Sequence, residues 1–456
     1  MRFFAAASLV TLALATLTAP KPAHADVLID NVNGMTLDRD GKVERFTGLL
    51  VGNDGRIEQV LQRSDKRPGK VDFKVDGKGR VVIPGLIDSH VQLMPFGLSL
   101  LTEVRPNAQP RPEDRDQALG KAQQALLARG ITAVADMGTT IEDWQTYRRA
   151  GDLGTLTLRI MSYAEGVEAM ILIGGPGQTP WLYDDRLRLN GVKLTLDGPL
   201  LSRSAALKAP YADAPTSKVT LRLNDTQLRN LMSRAAMDHF QVAVDASGDK
   251  SINAVLGALD EMADTYKGDR RWRIEQSEAV DAADLPRLKD KGVIASMQPQ
   301  QAMLGSTTAE ARLGPARLAG TYAWKSLASS GASLAFGSGA GAPGAAAEPF
   351  PAMAYAITRQ SADGQPFGGW QAQERLTREA TLAAYTASAA YAGFAEGRFG
   401  RLTKGQRADF LLIDSDPLLA TPAELRAMRV LQTWVGGKLV YQAKDGVAAE
   451  PATEGR

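Results

Sequence analysis

Between Val81 and Ser338 the chain passes eight times from a short β-rich run to a following stretch, most of these stretches carrying a helical apolar pattern. The β-rich runs are Val81–His90, Gly130–Met137, Leu156–Ala164, Gly191–Gly198, Phe240–Ser247, Arg271–Ser277, Gly292–Gln298 and Ser333–Ser338. Amphipathic segments at Glu113–Arg129, Gln227–His239, Ile252–Met262 and Leu318–Ser329 lie between them. Gly130, Gly292 and Gly331 stand where a helix must end just before a strand. Parallel strands need such crossovers, so the order predicts an α/β fold. Eight alternations favour a (β/α)₈ TIM barrel over an open doubly wound sheet, and no G-x-G-x-x-G turn follows the first run.

Both ends read differently. Val27–Leu37, Phe46–Val51 and Val71–Val75 alternate like antiparallel strands, with a turn signal at Asn53-Asp54-Gly55. Ala408–Ile413 and Val430–Gln442 repeat that character around Gly436-Gly437. Residues 26–82 and 398–456 are therefore expected to build one small β-sandwich domain from both termini, around a barrel at 83–397. Gly341–Gly369 reads as a long loop over the barrel mouth, and the alanine-rich Thr381–Ala395 as one packed helix.

Residues 1–25 read as a signal peptide: Arg2, an apolar run from Phe3 to Ala19, then Ala23-His24-Ala25 before Asp26. A periplasmic or secreted location is expected, with no membrane span after cleavage. Arg2 and Lys21 are the only ionised side chains in that segment, so its loss takes the net charge from +2 to zero. A balanced surface argues against nucleic acid as a partner. The absence of cysteine excludes thiolate metal sites, cysteine nucleophiles and disulfides. The oligomeric state is not legible.

The string Val82-Ile83-Pro84-Gly85-Leu86-Ile87-Asp88-Ser89-His90 resembles the first barrel strand of the amidohydrolase superfamily, which normally ends Asp-x-His-x-His. Val192–Asp197 with Gly198–Leu207, Phe240–Asp249, Arg273–Gln276, Ser296–Pro299, Tyr322–Trp324, Leu334–Ser338, Glu374–Thr377 and Gly400–Asp409 are similar to the branch called amidohydrolase family 3. The resemblance implies hydrolysis of amide-type C–N bonds other than peptide bonds. It also implies metal ligands at strand ends: two His from strand one, a Lys or Glu from strand four, a His each from strands five and six, and an Asp from strand eight. A metal so held lowers the pKa of bound water to about 7.

On those positions this chain keeps His90 and Lys193 but carries Gln92, Asp245, Gln276 and Gly339 in place of the expected His, His, His and Asp. Of its three histidines, His24 leaves with the leader and His239 reads as structural, so His90 alone offers an imidazole. A nitrogen-rich zinc site cannot be assembled from that set. Lys193 is expected to pair with Asp245 or Asp197, and Asp88 to support the site from behind. Arg203 is a candidate substrate clamp or a structural ion pair, and Gln298, Gln300 and Gln301 are candidate lining or loop residues.

The expectation is a pseudoenzyme: an exported, non-catalytic descendant binding a small molecule in the barrel mouth, with no metal site. The alternative is an active amidohydrolase using a remodelled site of His90, Lys193 and Asp245, with zinc or another divalent metal or none. A purely structural or assembly role through the β domain has no positive support in the sequence.

Overall fold

The structure, a computed structural model, describes residues 26–101, 109–444 and 450–451; the expected leader at 1–25 lies outside the described residues. Eight parallel strands form a nearly closed barrel in strict chain order. They are Leu86–Val91, Ile131–Thr139, Arg159–Glu165, Leu187–Thr195, Gln241–Ala246, Arg273–Gln276, Ile294–Met297 and Ser333–Phe336. The first and last strands meet through single bonds at their ends: Gly339 N–H donates to the His90 carbonyl (2.8 Å) and Gln92 N–H to the Ala340 carbonyl (2.8 Å).

Side-chain alternation gives each strand an outer and an inner face. On the fifth strand Val242 and Val244 pack outward into the core shared with the helices. Ala243 belongs to an inner cluster with Ala133, Ala135, Met137, Met161 and Tyr163. Asp245 shares the parity of Ala243, so the strand pattern directs it inward.

The run Val81–His90 is not one strand. Val81–Pro84 pairs antiparallel with Phe410–Ile413 and parallel with Asn33-Gly34, and the barrel strand begins only at Leu86. Gly85 makes the changeover where a Cβ would fall 2.2 Å from Thr132 Oγ1. The terminal strands form a six-stranded and a five-stranded sheet, each drawing on both ends of the chain. Ile29, Phe46, Leu49, Phe410, Leu412 and Trp434 are among their shared core, with Phe410 stacked on Trp434 at 5.4 Å.

Three expectations, two of helices and one of a loop, need correction. Thr381–Ala395 divides into Arg378–Ala384 and Ala387–Ala392, because the Tyr385 carbonyl at the break accepts the Ile87 N–H (2.7 Å) of the first barrel strand. The segment Leu318–Ser329 is helical only in Trp324–Ser330, since Tyr322 takes a left-handed φ of 48°. The loop Gly341–Gly369 contains a helix, Pro349–Thr358, whose apolar residues are almost all buried.

Candidate functional site

The C-terminal strand ends carry a chain of buried polar groups. Asp88 follows the apolar Leu86 and Ile87 into the first strand, and its Oδ1 accepts N–H bonds from His90 (3.1 Å) and Ser338 (2.9 Å). This carboxylate stitches the first strand to the eighth. Burial raises its pKa against those bonds, and Oδ2 has no hydrogen-bond partner.

His90 Nδ1 lies 2.8 Å from Glu275 Oε2, with both side chains buried. Glu275 and Arg273 project from the same face of the sixth strand, two residues apart, and Arg273 Nε donates to Glu275 Oε1 (2.7 Å). Arg273 also donates to the Ser89 carbonyl (2.7 Å), Tyr163 Oη (3.2 Å) and Ser296 Oγ (3.2 Å). Burial alone would raise the Glu275 pKa; the charge of Arg273 and the contact with His90 reverse this and hold it at about 2. An ionised Glu275 carboxylate can only accept, so His90 Nδ1–H donates this hydrogen bond.

Lys193 Nζ meets Asp245 Oδ2 at 2.9 Å. Burial opposes the Lys193 charge, but Asp245 overrides it and raises the pKa. Asp245 Oδ1 is buried without a partner. Asp245 and Glu275 are register neighbours on adjacent strands. His90, Glu275, Asp245 and Lys193 therefore run along one arc of the inner wall. Asp197, the other partner foreseen for Lys193, is saturated by the N–H groups of Ala206, Ser247 and Gly248 and by the Ser251 hydroxyl (2.6 Å).

The remaining foreseen positions hold no such pair. Gln276 takes a left-handed φ of 72° as the sixth strand ends, and its Oε1 is buried without a partner. Gln92 caps the helix Leu93–Ser99 with no side-chain cap bond. Gly339 has φ of 69°, and a Cβ there would fall 2.5 Å from Gln301 Nε2 and 3.6 Å from Gln298 Cγ. Gln298 is buried at the start of the helix Pro299–Leu313 and covers Gly339. Of the two readings open for Arg203, the structure shows the ion pair. Arg203 grips Asp213 with two bonds (3.2 and 2.9 Å) in an exposed loop, because that turn brings a carboxylate within reach. His239 is exposed beside Arg270.

Sequence reasoning missed four buried charges: Arg273, Glu275, Asp136 and Glu278. Asp136 accepts from Leu93 N–H (2.9 Å), Thr139 Oγ1 (2.6 Å) and Tyr147 Oη (2.9 Å), and burial raises its pKa to about 6. Glu278 accepts the Leu200 N–H (2.6 Å), and burial lifts its pKa to about 7. Arg273 and Glu275 did leave a signal, since opposite charges at i and i+2 of a buried parallel strand must satisfy each other inside the barrel.

A family profile for amidohydrolases matches residues 98–441. The chain belongs to the amidohydrolase family. It is 30% identical over 347 residues to Protein LONG AFTER FAR-RED 3 of Arabidopsis thaliana, covering 72% of this chain and 58% of that protein. It is 24% identical over 330 residues to N-substituted formamide deformylase of Arthrobacter pascens, covering 69% and 58%. This amidohydrolase-family chain thus spans somewhat under three-fifths of these relatives' length. The fold matches an uncharacterized metal-dependent hydrolase from Pyrococcus horikoshii with a TM-score of 0.74 and 20% identity, covering 87% of this chain and 99% of the other.

Proposed function

We propose that this amidohydrolase-family protein is an exported, non-catalytic descendant that binds a small molecule at the barrel mouth. The observation that carries the reading is the Lys193–Asp245 ion pair. Two positions where the family implies metal ligands neutralise each other instead.

The other donors do not fit a divalent cation. Gln92 and Gln276 offer neutral amides, which hold transition metals poorly. Gly339 offers no side chain, and the Gln301 amide fills the space a Cβ would need. Among the described residues no three His, Asp or Glu side chains converge as a metal cluster. The polar strand ends, with unpartnered Asp245 Oδ1 and Gln276 Oε1, suit a ligand that donates hydrogen bonds.

A second reading rests on one observation. His90 oriented by an ionised Glu275 is a base–orienter pair, which a hydrolase of amide-type C–N bonds could use. The formamide deformylase among the relatives makes N-acyl and formamide compounds the substrates to test. Proton transfer alone supplies only about 10²–10⁴-fold, below the acceleration of roughly 10⁶-fold or more that enzymes reach.

Metal analysis of protein from its own compartment, with an N-acyl, formamide and cyclic-amide panel, tests both. The first reading expects substoichiometric zinc and hydrolysis at background rate. Stoichiometric zinc lost on His90→Ala, or turnover abolished by that change, puts the hydrolase first. Cell fractionation checks export, which rests on the Ala23-His24-Ala25 pattern.

A further inference from the structure

At the barrel floor, opposite the mouth, a cleft of about 450 Å³ separates the starts of the third and fourth strands from the terminal hairpin of Val430–Val435 and Lys438–Gln442. Four cations line it, Arg159, Arg186, Arg407 and Lys438, against two carboxylates, Asp54 and Asp184. We propose that this cleft binds a small oxyanion, the carboxylate or phosphate group of a small metabolite, with Arg186 as the anchoring cation and Lys438 at the rim.

The carboxylates behind the wall are already committed. Arg159 grips Asp409 with two bonds (2.5 and 2.8 Å). Arg407 Nε donates to Asp185 Oδ2 (2.7 Å), and Arg56 and Arg398 hold the same carboxylate. Asp54 is paired with Arg56. Asp184 is mostly exposed and faces Arg407 at 3.8 Å.

Arg186 differs from these neighbours. Its NH1 donates to the Thr157 carbonyl (2.6 Å), and among the described residues no carboxylate lies within ion-pair distance. A carbonyl solvates the charge but does not neutralise it. Burial, and then the nearby Arg159, pull its pKa down to about 10 against the charges of Asp409 and Asp184, which lie beyond contact. A partly buried guanidinium that no carboxylate contacts directly gains from an anion placed against it.

The surrounding backbone fixes Arg159 in the wall of the cleft. Tyr183, Asp184 and Asp185 take left-handed φ of 53°, 56° and 64° in succession. The Asp184 and Asp185 carbonyls thereby both reach Arg159 NH1 (2.8 and 2.9 Å). Such a run of non-glycine residues persists only because its surroundings hold it, here through the bonds to Arg159. Across the cleft the turn is Gly436-Gly437, and a Cβ at Gly436 would lie 3.5 Å from Arg159 and 3.9 Å from Arg186. Guanidinium forks match carboxylate and phosphate oxygens.

The test titrates inorganic phosphate and succinate into the purified protein at constant ionic strength against chloride, read by calorimetry and by melting temperature. Saturable one-to-one binding of at least one probe is expected, with a rise in melting temperature, and the tighter probe identifies the anion class. Arg186→Gln should weaken binding by about tenfold or more, as for loss of a charged hydrogen-bond donor. It should also raise the melting temperature in chloride alone, since it removes a partly desolvated charge that no carboxylate contacts. Lys438→Gln, on an exposed strand, should weaken binding several-fold with no loss of fold and decides the matter should Arg186→Gln fail to fold. Absence of saturable binding, or affinity unchanged in the variants, overturns the proposal. The mouth is not involved, so neither result bears on the function proposed above.

Discussion

His90 Nδ1 and Glu275 Oε2 stand 2.8 Å apart in the barrel interior, with Arg273 bonded to the same carboxylate from its other side. A lone buried carboxylate would be expensive, and this one is held ionised by a cation and an imidazole together. The arrangement orients His90 whether or not the protein catalyses anything.

Glu275→Gln is expected to leave Arg273 buried without its counter-charge. Losing one partner of such a pair costs about 3–5 kcal/mol. Denaturant unfolding should show the loss at neutral pH, and Arg273→Met with Glu275→Gln should recover part of it. A double variant as unstable as the sum of the singles would mean the two residues are not coupled.

The Lys193–Asp245 pair makes a parallel case further along the same arc of the inner wall. Lys193→Met and Asp245→Asn should each destabilise the fold, by roughly 1–3 kcal/mol given their residual exposure. Combined, they should cost less than the sum, because neither charge is then stranded. Zinc affinity should change little in the double variant if the pair is structural, and a large fall would restore it to a metal site.

Gly339 resists repair. An Asp placed there meets a left-handed φ of 69° and the Gln301 amide. The backbone conformation alone costs about 1–2 kcal/mol for a side chain bearing a Cβ. Gly339→Asp should therefore lower stability, and Gln301→Ala beside it should relieve the contact but not the backbone cost. Gln92→His, Asp245→His and Gln276→His without it should raise zinc affinity if the strand ends converge.

Glu278 sets a pH dependence with a definite sign. Its folded pKa of about 7 lies above the ordinary 4.5 because burial dominates. The stability it contributes is complete below pH 4.5 and is lost as pH rises through 7. Glu278→Gln keeps an acceptor for the Leu200 N–H and removes the titration. Relative to wild type it should gain roughly 2–3 kcal/mol between pH 5 and pH 8. Equal pH profiles for the two proteins would rule this out.

Much of the fold was legible because periodicity is local. Eight alternations of β-rich and helical pattern required parallel strands with crossovers, and the β-rich ends required pairing with each other. The inner position of Asp245 followed from alternation on a strand. The break at Tyr385 was invisible, since it depends on a hydrogen bond to Ile87, which is distant in sequence. The split at Gly85 was hidden for the same reason: Val81–Pro84 and Leu86–Val91 read as one β-rich run, and only their partners differ.

The amino-acid sequence by itself determined which groups are available: one imidazole among the matched positions, amides at Gln92 and Gln276, and no side chain at Gly339. Those are counts of chemistry, and no folding can add a ligand that the chain does not encode. The tertiary structure alone decided which groups meet. It chose Asp245 over Asp197 for Lys193, because Asp197 is consumed by three backbone N–H groups and a hydroxyl. It gave Glu275 to His90 and Asp213 to Arg203. Pairing of charges depends on distances of a few ångströms between residues far apart in the chain, and on a low-dielectric interior that makes each unpaired charge costly.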